Sequence, residues 1–199
     1  MNKLERAFRE LEVDLRQLNL RWALIGGLAV SLRAEPRTTQ DLDVSVAVED
    51  DREVDRVVFN LRNQGYDLLD DELFKPQDRD RIEFVRLVAS REATRGVIVD
   101  LMFAASGIEH EVVASAELLE TPLGIAVPVA TTAHLLALKT LAGRAKDVTD
   151  FANLIRVANE RDIQQAREAL DLISKRGYDG GKDLQSEFER LFELAPGEV

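Results

Sequence analysis

Leu24-Ile25-Gly26-Gly27, followed after ten residues by Thr38-Thr39-Gln40-Asp41-Leu42-Asp43, is the stretch on which the fold turns. Trp22-Ala23-Leu24-Ile25 is a short apolar run closed by two glycines, which reads as a buried strand entering a tight turn. Gly26 and Gly27 permit a sharp turn and a close approach of the backbone to a ligand. Leu28 to Arg33 reads as a short helix ended by Pro36. Its N-terminus would offer unpaired N–H groups and a partial positive charge, both suited to phosphate oxygens. Leu42 to Val48 alternates and is rich in valine, so a strand follows. Asp41 and Asp43, two residues apart at the start of that strand, point to the same side. Two carboxylates on one face repel each other unless a cation lies between them. Mg²⁺ suits that position, because it takes hard oxygen ligands and is commonly held by one or two carboxylates together with substrate phosphates.

Outward from this stretch, residues 3–18 carry Leu4, Phe8, Leu11, Leu15 and Leu18 at helical spacing. Residues 51–64 form another amphipathic helix with Val54, Val57, Val58 and Leu61 as its buried stripe. The acidic stretch 67–80, with Pro76, reads as a loop or irregular hairpin. Strands are expected at Ile82 to Val88 and at Val97 to Phe103. Residues 107–129 read as a short helix and then a hairpin around Pro122 and Gly124. From Thr131 onward the pattern is helical, over 131–142, 147–158, 162–175 and 183–193, with Gly143, Gly177 and Gly180-Gly181 as stops. Strands mixed with helices and then helices alone predict an α+β (α/β) domain, a mixed sheet flanked by helices. The expected division is a sheet-bearing layer over 1–130 and a helical extension over 131–199 packed on it.

The 199 residues include 45% hydrophobic and 32% charged side chains, enough for a core and a solvated surface. No stretch approaches the roughly 20 apolar residues of a membrane helix. The N-terminal residues lack the apolar segment of a signal peptide. Without cysteine there is no disulfide framework and no thiolate ligand or nucleophile, and the two histidines, His110 and His134, are too few for a histidine-rich zinc site. These features point to a cytoplasmic protein. The formal net charge of −11 argues against a broad electrostatic grip on nucleic acid, although a local basic pocket for a triphosphate remains compatible with it.

Asp100 is the third informative acid. It sits in Val97-Ile98-Val99-Asp100-Leu101-Met102-Phe103, among apolar, strand-favouring neighbours. Aspartate is depleted in strands, and burying its charge is costly unless it is paired or bound to metal. It is therefore either a third acidic ligand facing Asp41 and Asp43 or the partner of an arginine such as Arg37 or Arg86. Glu83, among polar neighbours, competes less well for the ligand role. Lys139 interrupts the apolar run Leu135 to Leu138 and reads either as a phosphate contact or as a solvated helix position. Asp147 is a favoured N-cap for the helix it precedes. Asp150 falls in that helix's first turn, and Lys146 is open between phosphate contact and surface charge. His134 and Trp22 read as structural.

Gly26-Gly27, then Arg37-x-Thr39-x-Asp41-x-Asp43, then Val99-Asp100-Leu101 resembles the DNA-polymerase-β-like nucleotidyltransferase superfamily. The nearest likeness is to the AbiEii-type and related minimal nucleotidyltransferases of bacterial toxin–antitoxin systems. The run Ala137-Leu138-Lys139-x-x-Ala142-Gly143-Arg144-x-Lys146-Asp147-x-x-Asp150 also matches that group. The resemblance covers residues 24–43 and 96–150. It implies a nucleotidyltransferase fold and Mg²⁺-dependent transfer of a nucleotidyl group from an NTP to a hydroxyl of RNA (a tRNA end included), a protein or a small molecule. It also implies a toxin–antitoxin role with a cognate partner protein.

By the same likeness, Asp41, Asp43 and Asp100 form a two-ion catalytic site, with Asp100 acting near the attacking hydroxyl. Gly26, Gly27, Arg37, Thr39, Lys139 and Arg144 would bind the nucleotide. One departure is Leu28, where many members of the superfamily place serine after the glycine. A second is length, since toxin members with a large C-terminal domain are longer. The alternative function is a catalytically weak nucleotide-binding or antitoxin-like interaction module.

Overall fold

The computed structural model describes residues 2–69 and 81–195. Helix α1 (Lys3–Gln17) leads into strand β1 (Trp22–Leu24), helix α2 (Gly26–Arg33) and strand β2 (Asp41–Val46). Helix α3 (Asp51–Asn63) and strands β3 (Tyr66–Leu68), β4 (Phe84–Ala89) and β5 (Ile98–Met102) follow. Helix α4 (Glu109–Ala114) precedes the hairpin of β6 (Glu117–Glu120) and β7 (Ala126–Val129). Helices α5 (Thr132–Ala142), α6 (Ala145–Val157), α7 (Glu160–Lys175) and α8 (Leu184–Leu194) complete the chain.

The strands form one seven-stranded mixed sheet in the order β3-β4-β5-β2-β1-β7-β6. β2 and β5 lie side by side and parallel at its centre, with Asp43 opposite Asp100. β4 is antiparallel to β5 and sets Arg86 opposite Asp100. β1 is antiparallel to β2 and parallel to β7. Alternation along β2 sends Leu42, Val44 and Val46 into the core with no exposure and leaves Asp41, Asp43 and Ser45 on the opposite face.

One hydrophobic cluster runs from Phe8 and Leu11 of α1, through the sheet, to Phe188 and Leu191 of α8. Phe151 of α6 meets Phe188 edge to face at 5.2 Å. Two polar ties fix α2 in place. Arg33 donates to the carbonyls of Val129 and Ala130 at the end of β7, both at 3.0 Å. The Ser31 hydroxyl donates to the Gly27 carbonyl and accepts from the Arg37 N–H.

Most predicted elements lie within two residues of their expected ends, and the hairpin around Pro122 and Gly124 is present as β6–β7. The stretch 67–80 departs from its expectation at its start. Gly65, at φ +93°, turns the chain out of α3, and Tyr66 is buried against Ala89 of β4, so Asp67 and Leu68 are strand. Residues 70–80 lie outside the described residues. Helix α6 begins at Ala145 rather than Asp147. No helix among the described residues is long and apolar enough to cross a membrane.

Candidate functional site

The two glycines are explained by what surrounds them. Gly26 has φ +66°, a conformation that L side chains rarely adopt. A Cβ there would lie 2.0 Å from Asp43 Oδ2, and one on Gly27 would lie 2.4 Å from an Arg37 guanidinium nitrogen. Hydrogen at these positions lets the first turn of α2 press against Asp43 at Gly26 and against Arg37 at Gly27. The Gly27 N–H favours the charged form of the Asp43 carboxylate, and the Ile25 N–H donates to the Asp43 carbonyl at 3.0 Å. α2 has no side-chain cap and no acidic residue in its first turn. Its positive end is therefore directed at the carboxylate face of β2.

Asp41, Asp43 and Asp100 share one face of the sheet, with Asp43 and Asp100 at the same level on neighbouring strands. Asp43 opens into a cavity but lies deep. Burial first, and then the charges of Asp100 and Asp41, push its carboxyl above the usual range, against the opposing pull of Lys139 and the Gly27 N–H. Among the described residues, neither Asp41 nor Asp43 has a cation within 4 Å. Asp100 does, because Arg86 Nε and Nη2 each stand 2.7 Å from one of its oxygens. Asp100 thus faces Asp43 and is the partner of an arginine, Arg86. Among the described residues no three acidic or histidine side chains converge closely enough to form a ready metal cage.

A chain of alternating charges walls the other side. Arg37 pairs with Asp150, Nη2 to Oδ2 at 2.9 Å and Nε to Oδ1 at 2.6 Å. Lys139 Nζ lies 2.6 Å from Asp150 and 3.0 Å from Asp147. Arg144 closes the chain on Asp147 through Nε at 2.7 Å. Lys139, Asp147 and Asp150 are at most 4% exposed, so each charge is compensated where it is buried. Burial opposes ionisation of Asp147, but hydrogen bonds from Arg144 and Lys139 and their charges prevail and hold its carboxyl below the usual range.

Two expectations are corrected here. Asp147 is the third residue of α6, and its carboxylate reaches back to the N–H of Arg144 at 3.1 Å, so the N-cap is Arg144 and not Asp147. Of the two readings of Lys139, the solvated helix position is excluded, because the residue is 4% exposed and two carboxylates hold its ammonium.

Two cavities meet at Asp43. The first, about 260 Å³, is lined by Gly26, Gly27, Thr39, Asp41 and Asp43 together with Arg37, Lys139, Arg144 and Lys146. Every position expected to contact nucleotide therefore lines one hollow. The second, about 410 Å³, begins at Asp43 and Asp100 and continues over Ser45, Phe84 and Met102 beneath α5. Ser45 and Arg86 were not singled out as site residues from sequence. The alternation that placed Asp41 and Asp43 on one face extends to Ser45 and would have identified it.

The sequence model of the family described as "Nucleotidyl transferase AbiEii toxin, Type IV TA system" matches residues 11–198. No curated protein sequence matches the chain. The solution structure of the antibiotic-resistance factor ANT(2″)-Ia superposes with a TM-score of 0.55 at 12% identity, over 98% of this chain and 100% of that one. An antigenic nucleotidyltransferase-like protein from Paracoccidioides brasiliensis superposes with a TM-score of 0.52 at 18% identity, over 94% and 91%. At these identities the structural likeness establishes the nucleotidyltransferase fold.

Proposed function

The chain belongs to the AbiEii nucleotidyltransferase toxin family, and from that premise we propose that it moves a nucleotidyl group from an NTP to an acceptor hydroxyl at the Asp41–Asp43–Asp100 face, as a cytoplasmic toxin–antitoxin component with a cognate partner protein. The observation that carries this reading is the placement of Asp43. It lies under the N-terminus of α2, beside Asp41 and Asp100, with burial and neighbouring charge opposing its ionisation and no cation paired to it among the described residues. A hard divalent cation is the ligand that relieves such a cluster.

The donor set fits Mg²⁺. Asp41 and Asp43 would hold it, and when bound it supplies charge neutralisation at the phosphates and acidifies a nearby hydroxyl. Asp100, with both oxygens on Arg86, stands as the group beside the acceptor. The remaining work belongs to the chain itself. The N–H groups at the uncapped start of α2 and the side chains of Arg37, Arg144 and Lys146 orient the triphosphate in the basic cavity. Lys139 holds Asp147 and Asp150, which in turn hold Arg144 and Arg37, so the two arginines present fixed charge to the phosphates.

In the reaction an acceptor oxygen bonds to the α-phosphorus while the bond to the β-phosphate oxygen breaks and pyrophosphate leaves. Leu28 offers no hydroxyl to the phosphates, so the backbone of α2 carries that contact. Membership of a nucleotidyltransferase family speaks for this enzyme over the pure interaction module. The direct check is Asp41→Asn with α-³²P-labelled NTPs: transfer should fall by at least about 10²-fold, with the circular-dichroism spectrum unchanged. A rate equal to wild type would sink the assignment.

A further inference from the structure

The register of the three central strands lays out two parallel rows on the active face. The first row, Arg86–Asp100–Asp43, is charged. The second, one pleat along, is Phe84–Met102–Ser45. The 410 Å³ cleft lies over both rows, and α5 and α4 roof it with Leu135, Leu138, Leu141 and Val112. Its character differs from that of the neighbouring basic cavity, with which it shares only Gly26, Asp43, Lys139 and Arg144. One side of Asp43 is therefore built for phosphate and the other for an apolar body.

Two polar groups are buried inside the apolar cleft. The Ser45 residue is 1% exposed, and its hydroxyl has no hydrogen-bond partner among the described residues. A buried hydroxyl left unsatisfied costs on the order of 1–3 kcal/mol, and a ligand polar atom would remove that cost. Glu109 is 4% exposed; one of its oxygens is held by the N–H and hydroxyl of Ser106 at 2.7 and 2.8 Å. It is thus a fixed carboxylate at the cleft wall.

We propose that this cleft is the acceptor site, and that the acceptor is a small hydroxyl-bearing molecule with an apolar body, read by hydrogen bonds to Ser45 and Glu109. The proposal rests on the nucleotidyltransferase reading above. The volume falls within the roughly 300–1,000 Å³ of small-ligand pockets. An RNA strand is disfavoured by the charges: the chain carries a formal charge of −11, and the cleft's Arg86 is already engaged by Asp100. The acceptor hydroxyl, set beside the first row, gives its proton to Asp100 as its oxygen bonds to the α-phosphorus and pyrophosphate departs. Ser45 and Glu109 bind the acceptor body and so set specificity.

The experiment incubates the full chain with Mg²⁺ and α-³²P-labelled NTPs, separately with a deproteinised small-molecule filtrate and with total RNA from the cells that express it. Wild type, Ser45→Ala and the cleft-filling Leu138→Trp are compared, and the Mg²⁺·NTP-dependent thermal shift of each reports an intact nucleotide site. The expected result is label on a filtrate compound, reduced about ten-fold or more by Leu138→Trp while the nucleotide shift persists. Ser45→Ala, which leaves the cleft open, should raise KM for that compound more than it lowers kcat. Label on RNA, label in neither arm with the nucleotide shift intact, or filtrate labelling that survives Leu138→Trp would each overturn the acceptor class. Absence of any nucleotide shift in wild type would overturn the nucleotide site itself, and the acceptor proposal with it.

Discussion

At Gly26 a single hydrogen atom decides whether the site can form. Alanine there must adopt φ +66° and place its Cβ where Asp43 Oδ2 now stands. Gly26→Ala is therefore expected to destabilise the fold by about 1–3 kcal/mol and to raise KM for NTP by displacing Asp43; denaturant unfolding and steady-state kinetics check the two effects. Asp43 itself gives a prediction of opposite sign. Its carboxyl is raised by burial and by Asp100, so the folded state holds that proton more tightly than the unfolded chain. The nucleotide-free protein should then lose stability as pH rises from the ordinary aspartate range through the raised value, and level off above it. Asp43→Asn removes that penalty. At neutral pH without metal it should unfold at higher denaturant concentration than wild type, and the gap should close on acidification. A variant no more stable than wild type at any pH would show that Asp43 is not strained by its surroundings. Asp41, Asp43 and Asp100 were legible as residues because acids at strand positions break local preference. Arg86 was legible only as one possible partner of Asp100, since cross-strand register is not written in either strand alone.

Among the elements, α5 and α6 meet through buried charge as well as apolar packing. Lys139 of α5 holds Asp147 and Asp150 of α6, and these in turn hold Arg144 and Arg37. Removing the ammonium leaves two buried carboxylates competing for two arginines that are partly exposed. Lys139→Met should therefore cost about 3–5 kcal/mol, well above the loss expected for an exposed pair. Urea denaturation at pH 7 is the check, and a cost below 1 kcal/mol would mean that the network is not the joint between the helices. The helices themselves were readable from apolar periodicity. The network was not, because Asp147 reads as an N-cap although it is the third residue of α6, and Lys139 in an apolar run gives no sign of the two carboxylates that hold it. Each side chain becomes a partner of the other only when α5 and α6 pack face to face. The strand at Tyr66–Leu68 was hidden for a similar reason: three residues carry too little period, and their pairing with Leu87–Ala89 supplies the rest.

Across the whole molecule, an acidic chain sets several positive side chains around one small hollow. Arg37, Arg144 and Lys146 line the basic cavity while the formal charge of the chain is −11. A polyanion as compact as a triphosphate can meet those groups without spreading over the acidic surface. The order of strands and helices was accessible from sequence because pattern and punctuation agree along most of the chain. The division of the active face into a basic and an apolar cavity arises only once β4, β5 and β2 are laid side by side. On this reading Asp41 and Asp43 bind a magnesium–nucleotide complex beneath α2. Thermal unfolding of wild type and Asp43→Asn, with each NTP in the presence and absence of Mg²⁺, tests it most directly. A nucleotide at a hundred times its dissociation constant should stabilise wild type by about 2.7 kcal/mol, only with Mg²⁺ and not in Asp43→Asn. An equal shift in the variant, or none in wild type with any nucleotide at saturating concentration, would contradict the account.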